Sequence, residues 1–351
     1  MKNHYNTIQK LKNEEAYSMK VCFKTLVAMA LVVCMALGMT GCGSKPVDGS
    51  QIVAMVGEKE VSLGEVNFLL RYQQVQMESY YESMLGEGIY EMDLYGTGLP
   101  YGEEFKADVM EQMQEYYVLE AKAADYGVVL TGEEETAIAE AAAAFLAAND
   151  DYTKEQMTAD QATVERVLTL MTINSKMTAA IKEEADVTVT DEEVVQRGFS
   201  YVSMSKLDSE GEALNDADLQ AAKDKLTAVI ASVEAGNTMD AAAVENGLTS
   251  YPGNYGEATE VFYDEALIAA LKETSEGNVT GIVETEKELY LAMVTADVDE
   301  EATASRRESV LGTKQTEYFN NVLSVWLEEY PLNVNATVWV DVVFDRSYEK
   351  K

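Results

Sequence analysis

Three cysteines (Cys22, Cys34 and Cys42) and one histidine, His4, carry the thiol and imidazole chemistry of this 351-residue chain. None lies beyond residue 42. The rest of the sequence therefore has no thiol nucleophile, no imidazole base and no Cys- or His-based zinc set. What remains is carboxylates and hydroxyls. Glu133-Glu134-Glu135 falls where a helix should start, and acidic charge there complements the helix dipole. That run reads as a solvated helix start, not as an acid–base pair. Asp216-x-Asp218 lacks the loop glycine and closing glutamate of a calcium loop. Gly86 to Gly102 has neither a phosphate-binding lysine nor a strand before it. These residues call for no cofactor and no metal. The chain is instead rich in tyrosine and methionine, with 20 and 17 of each. Phe68, Tyr72, Met77, Met110, Met113 and Tyr117 recur at helical spacing. Such a stripe reads first as core, but it can also line a client-binding groove, because Met and Tyr adapt to varied apolar partners.

Cys42 stands in a different context. Lys20 and Lys24 precede an apolar run from Leu26, which ends in Met39-Thr40-Gly41-Cys42 before the polar GSKPVDGSQ. Charged, apolar and small-residue regions in that order make a secretory signal over residues 1–41. A plain membrane anchor is the other reading, but the run is near the ~17-residue lower limit for a span. The cysteine after the small residues resembles a bacterial lipobox. The resemblance implies a diacylglycerol on Cys42, cleavage before it, a tether over 42–50 and an address on the outer face of the cell membrane. Two acyl chains hold stably where one is marginal.

Loss of residues 1–41 removes five of the 26 basic and two of the 62 acidic residues, leaving a net charge of about −39. Nucleic acid is excluded as a partner, because phosphate binding needs clustered Lys and Arg. About 310 residues remain, enough for one large or two ordinary domains.

Up to about residue 195 the pattern is helical. Ile52–Val61 reads as two short strands around Gly57-Glu58, and Ser62 with Glu65 forms a capping box for the first helix. Residues 85–103 read as a loop and 104–126 as a helix ended by Gly127. Thr131/Glu134 and Thr190/Glu193 make two further boxes, and Asp160 caps another helix. From about 198 strands appear: Phe199–Met204, Val279–Val283 and Leu289–Val294. Helices at 217–234, 240–246 and 264–272 lie between them, with a turn-rich loop at 247–256. A helix over 302–329 and a strand over 336–344 close the chain. This is an α+β pattern.

The order strand, long helix, short helix, loop, helix, strand, strand over 198–296 resembles a parvulin-type peptidyl-prolyl isomerase domain. The resemblance is carried by Phe199-Ser200-Tyr201-Val202, by Val233–Asn246, by Glu276-Gly277-Asn278-Val279-Thr280-Gly281 and by Glu288–Val294. With its helical flanks, the chain is similar to the PrsA/SurA-type foldases. That resemblance implies a mostly helical chaperone domain, discontinuous over 51–195 and 299–345, with a parvulin-like α/β domain inserted at 196–298. It implies unfolded or nascent secreted polypeptides as partners, with a homodimer as an option. It also places Tyr201 and Tyr290 at the two positions where parvulins have histidines. The expected function is thus a membrane-tethered folding factor whose isomerase activity is weak or absent. An active isomerase with a tyrosine-altered site is one alternative. A solute-binding lipoprotein is another, although no repeated βαβ pattern for two α/β lobes is present.

Overall fold

The computed structural model describes residues 37–40, 45–85, 88–344 and 347–350. Cys42 and the expected signal segment, apart from 37–40, lie outside the described residues. Packing divides the chain into two units. One comprises the residues up to Ala185 and those from Tyr318; the other is Asp186–Glu317.

In chain order the first unit holds β1 (Leu37–Thr40), β2 (Ile52–Val56), β3 (Lys59–Ser62), α1 (Leu63–Leu85), α2 (Tyr101–Lys122), α3 (Gly132–Ala148), α4 (Asp151–Gln156) and α5 (Gln161–Glu184). The second holds α6 (Asp191–Val194), β4 (Arg197–Ser205), α7 (Asp216–Glu234), α8 (Met239–Glu245), β5 (Tyr251–Tyr255), α9 (Glu265–Glu273), β6 (Val279–Glu284) and β7 (Glu288–Ala296). The unit boundary at 317/318 falls inside α10 (Glu300–Glu329). Then follow β8 (Leu332–Val334), α11 (Ala336–Trp339) and β9 (Ser347–Lys350). The fold is mostly helical α+β.

Local chemistry explains most helix starts. Thr131 accepts from the Glu134 amide at 3.2 Å while the Glu134 carboxylate accepts from the Thr131 amide at 2.8 Å, a complete capping box. Asp160 accepts from the Thr163 amide at 2.7 Å. Ser62 caps Glu65 at 3.2 Å, but the Glu65 carboxylate does not complete that box. It turns inward to accept from the Tyr117 hydroxyl at 2.5 Å, beside Arg166. The core of the first unit is one contiguous cluster, with Phe68, Met113, Leu119, Phe145, Leu170 and Ile181 fully buried.

Three further sequence expectations are corrected. Helix α2 starts at Tyr101, just after Pro100, because Pro fits a helix entry. The 247–256 stretch contains strand β5, in which Pro252 is tolerated because β5 is an edge strand. The stretch 336–344 is not a strand. Strand pairing is used up earlier, with β8 on β2 in the register Ala54↔Val334. The Asn335 amide then donates to Val53 O at 2.7 Å and the chain turns into α11. Of the apolar residues that follow, Val342 is fully buried and Phe344 stacks on Tyr90 with centroids 4.3 Å apart, while Val340 and Val343 are exposed.

Candidate functional site

The second unit is built on an antiparallel sheet in the order β5-β4-β7-β6. Alternation sends its side chains to two different cores. One face carries Val202, Leu289 and Leu291 against Leu226 and Val229 of α7. The other carries Phe199, Tyr201, Tyr290, Ala292 and Val294 against Leu267, Ile268 and Leu271 of α9.

This second face brings Tyr201 and Tyr290 together. Tyr201 lies opposite Ala292, and Tyr290 lies opposite Ser203, so the two tyrosines form a diagonal pair across β4 and β7. The small Ala292 leaves room between them, and their ring centroids are 6.4 Å apart. Tyr251, opposite Tyr201 on β5, adds a third ring at 5.9 Å. Phe199 closes the row at 5.6 Å from Tyr201 and meets Tyr255 and Tyr263 edge-on at 6.0 and 5.2 Å. Tyr251 and Tyr263 were not singled out by sequence reasoning. Their place depends on strand β5, which pairs Tyr251 with Tyr201 and Gly253 with Phe199; a Cβ at Gly253 would come within 2.5 Å of the Phe199 ring, so the ring lies directly over the glycine.

Two polar devices hold this face in shape. Arg197 donates to Leu271 O at 2.5 Å, Thr274 O at 2.6 Å and Asp297 at 2.7 Å. It therefore ties the last carbonyls of α9 to the sheet. The buried Gln196 accepts from Thr259 Oγ1 at 3.0 Å, and Thr259 Oγ1 accepts from the Gly256 amide at 2.7 Å. These bonds fix the loop after β5. At its tip Val261 and Phe262 are 78% and 79% exposed, beside half-buried Tyr263.

The arrangement suits contact more than proton transfer. A phenol is neutral at pH 7. Burial, helped by Glu288 and Asp264, pushes Tyr290 further up from its ordinary value. What the face offers is flat aromatic surface with hydroxyl groups at the ring tips, suited to an apolar peptide segment.

The six candidates on the helices separate. Phe68, Met110, Met113 and Tyr117 are buried in the core of the first unit, so in this conformation they are not a client-facing stripe. The reason is that α1, α2 and α5 pack on one another and cover the faces that bear them. Tyr72 and Met77 are half-buried. Met77 lines a surface cleft with Tyr95, Tyr101 and Phe105.

Comparison with known proteins finds no matching family model and no matching curated protein. Among solved structures, the chain is similar to a SurA-like chaperone of Campylobacter jejuni, at 8% identity over 81% of this chain and 98% of that one, with a TM-score of 0.29. It is similar to the foldase PrsA of Streptococcus pneumoniae, at 14% identity over 72% and 98% of the two chains and a TM-score of 0.31. For the peptidylprolyl isomerase PrsA of Bacillus cereus the values are 14%, 84%, 97% and 0.29. Because all of these TM-scores are low, the functional reading rests on the chain's own residues.

Proposed function

We propose that this protein is an extracytoplasmic folding factor, tethered to the membrane through a lipid on Cys42, that binds unfolded secreted polypeptides. In this reading the sheet unit is a peptide-binding platform with weak or absent prolyl isomerase activity. The observation that carries it is the Tyr201–Tyr290 pair set in a row of aromatic rings beside the exposed Val261-Phe262 tip. Contact with apolar peptide needs surface of this kind. Among the described residues no helix is long and apolar enough to cross a membrane. In this reading the acyl chains on Cys42 hold the protein at the membrane.

Two assays on one preparation test the reading. Light scattering of an unfolded client should fall when the protein is added, while the rate of X-Pro cis/trans exchange should change little. Tyr201→His combined with Tyr290→His should restore part of the exchange rate. Failure to suppress aggregation would remove the folding-factor reading. Strong wild-type isomerisation that is lost in Tyr201→Phe or Tyr290→Phe would instead establish a tyrosine-based isomerase. Cys42→Ala should release the protein from the membrane fraction or block its processing; an unchanged fraction and mass would remove the tether.

A further inference from the structure

A second surface lies on the first unit, along α2. Along α2 the residues Tyr101, Phe105, Asp108, Gln112 and Glu115 follow one another at three- and four-residue steps, so they share one stripe of the helix. They line a cleft of about 460 Å³, together with Met77, Tyr95 and Glu111. The cleft has two chemical ends. One is aromatic: Tyr95, 65% exposed at the mouth and edge-on to Tyr101 at 5.9 Å, stands over Tyr101 and Phe105, which are buried and show only ring edges to the cleft. The other is acidic, with Asp108, Glu111 and Glu115 and no Lys or Arg in the lining.

Next to the aromatic end, the chain's own C-terminal stretch packs against the same aromatic side chains. Phe344 of the chain's own C-terminal stretch lies 5.9 Å from Phe105 and stacks on Tyr90. Arg71 donates to the neighbouring Val343 carbonyl at 2.7 Å. An irregular stretch ending in an aromatic ring is thus what this wall accommodates. At the other end, Glu115 is pushed up from its ordinary value by burial and by the nearby Glu111. An incoming cation would relieve that repulsion.

We infer that this cleft binds extended polypeptide in which a large apolar side chain is separated by three to five residues from a lysine or arginine. The spacing follows from the helix. At a rise of 1.5 Å per residue, Phe105 is ~9 Å from Glu111 and ~15 Å from Glu115 along the axis. An extended peptide covers that in about three to five residues. The inference rests on the folding-factor reading and assigns its client class.

The test uses the whole chain and fluorescein-labelled nine-residue Gly/Ser peptides read by anisotropy at low salt. One peptide carries Trp and, four residues on, Lys; a second replaces Lys by Glu; a third places Trp and Lys adjacent. The first should bind at least tenfold tighter than either of the others, with the Lys/Glu difference shrinking as salt screens it. The triple variant Asp108→Asn, Glu111→Gln, Glu115→Gln should lose that difference. A charge-matched control on α3, Glu133→Gln, Glu135→Gln, Glu140→Gln, should keep it. Tyr95→Ala should weaken the Trp–Lys peptide severalfold. Equal binding of the Lys and Glu peptides, or equal loss in the control, would overturn the inference. Aggregation suppression measured on the same sample separates the two readings. If suppression persists without the peptide preference, the cleft assignment falls and the folding factor stands; if suppression is missing, it is the folding-factor reading that falls.

Discussion

The two units use the same aromatic and sulfur-bearing side chains to different ends. In the first, Phe68, Met110, Met113 and Tyr117 disappear into a core closed by several long helices. In the second, Tyr201, Tyr263 and Tyr290 stay half-buried, because the nine-residue helix α9 is too short to cover their face of the sheet. A helix presents a stripe that its neighbours can enclose, whereas a sheet presents a whole face that one short helix cannot. The same residue type is therefore buried at Tyr117 on a helix and left partly open at Tyr201, Tyr263 and Tyr290 on the sheet face.

The sharpest way to break this contrast is Phe68→Ala. Phe68 is 1% exposed and meets Phe145 edge-on at 5.4 Å, so truncation leaves a cavity. A loss of about 3–5 kcal/mol in urea unfolding of the first unit is expected. A stable variant that only loses client binding would return Phe68 to the surface. Next in size is Gly253→Ala, which forces a methyl against the Phe199 ring. Overpacking of this kind costs about 1–3 kcal/mol and should appear in the second unit together with altered tyrosine near-ultraviolet dichroism. An unchanged spectrum would mean that the aromatic row is looser than its geometry. Removing the capping hydroxyl in Thr131→Ala should cost about 1 kcal/mol, seen as a small drop in the denaturation midpoint.

The smallest effect is a pH dependence at Glu65. Burial raises its carboxyl above the ordinary 4.5, against the opposing bond from Tyr117 and the charge of Arg166. The folded state thus holds the proton more tightly than the unfolded one. This contribution to stability is fully present below 4.5 and is lost as pH rises through the raised folded value. On acidification across that window, wild type should gain stability relative to Glu65→Gln. Parallel curves would show that the inward turn of Glu65 carries no proton linkage.

Much of this was legible along the chain because it is local. The box at Thr131/Glu134, the cap at Asp160 and the left-handed Gly127, at φ 64°, are decided by neighbours within four residues. So are the alternation that makes β4 and β7 and the period that makes α5. The pairing of Tyr201 with Tyr290 was reached through resemblance, and their 6.4 Å separation came from register. Failures came where distant partners decide. Glu65 left its box for Tyr117, 52 residues away. The 336–344 segment alternates like a strand, yet β8 had already paired with β2, and of its side chains Val342 went into the core and Phe344 onto Tyr90.

The sequence by itself determined the absence of thiol and imidazole chemistry beyond residue 42, the acidity, the helix starts and the change from helical to mixed structure near 198. These follow from which residues are present and from interactions within a few positions of each other. Only the tertiary structure decided which members of the Met and Tyr stripe are covered, that Phe199, Tyr201, Tyr251 and Tyr290 form one row, and that an aromatic end and an acidic end share one cleft on α2. Burial depends on what packs against a face, and that is set by contacts between segments far apart in the chain.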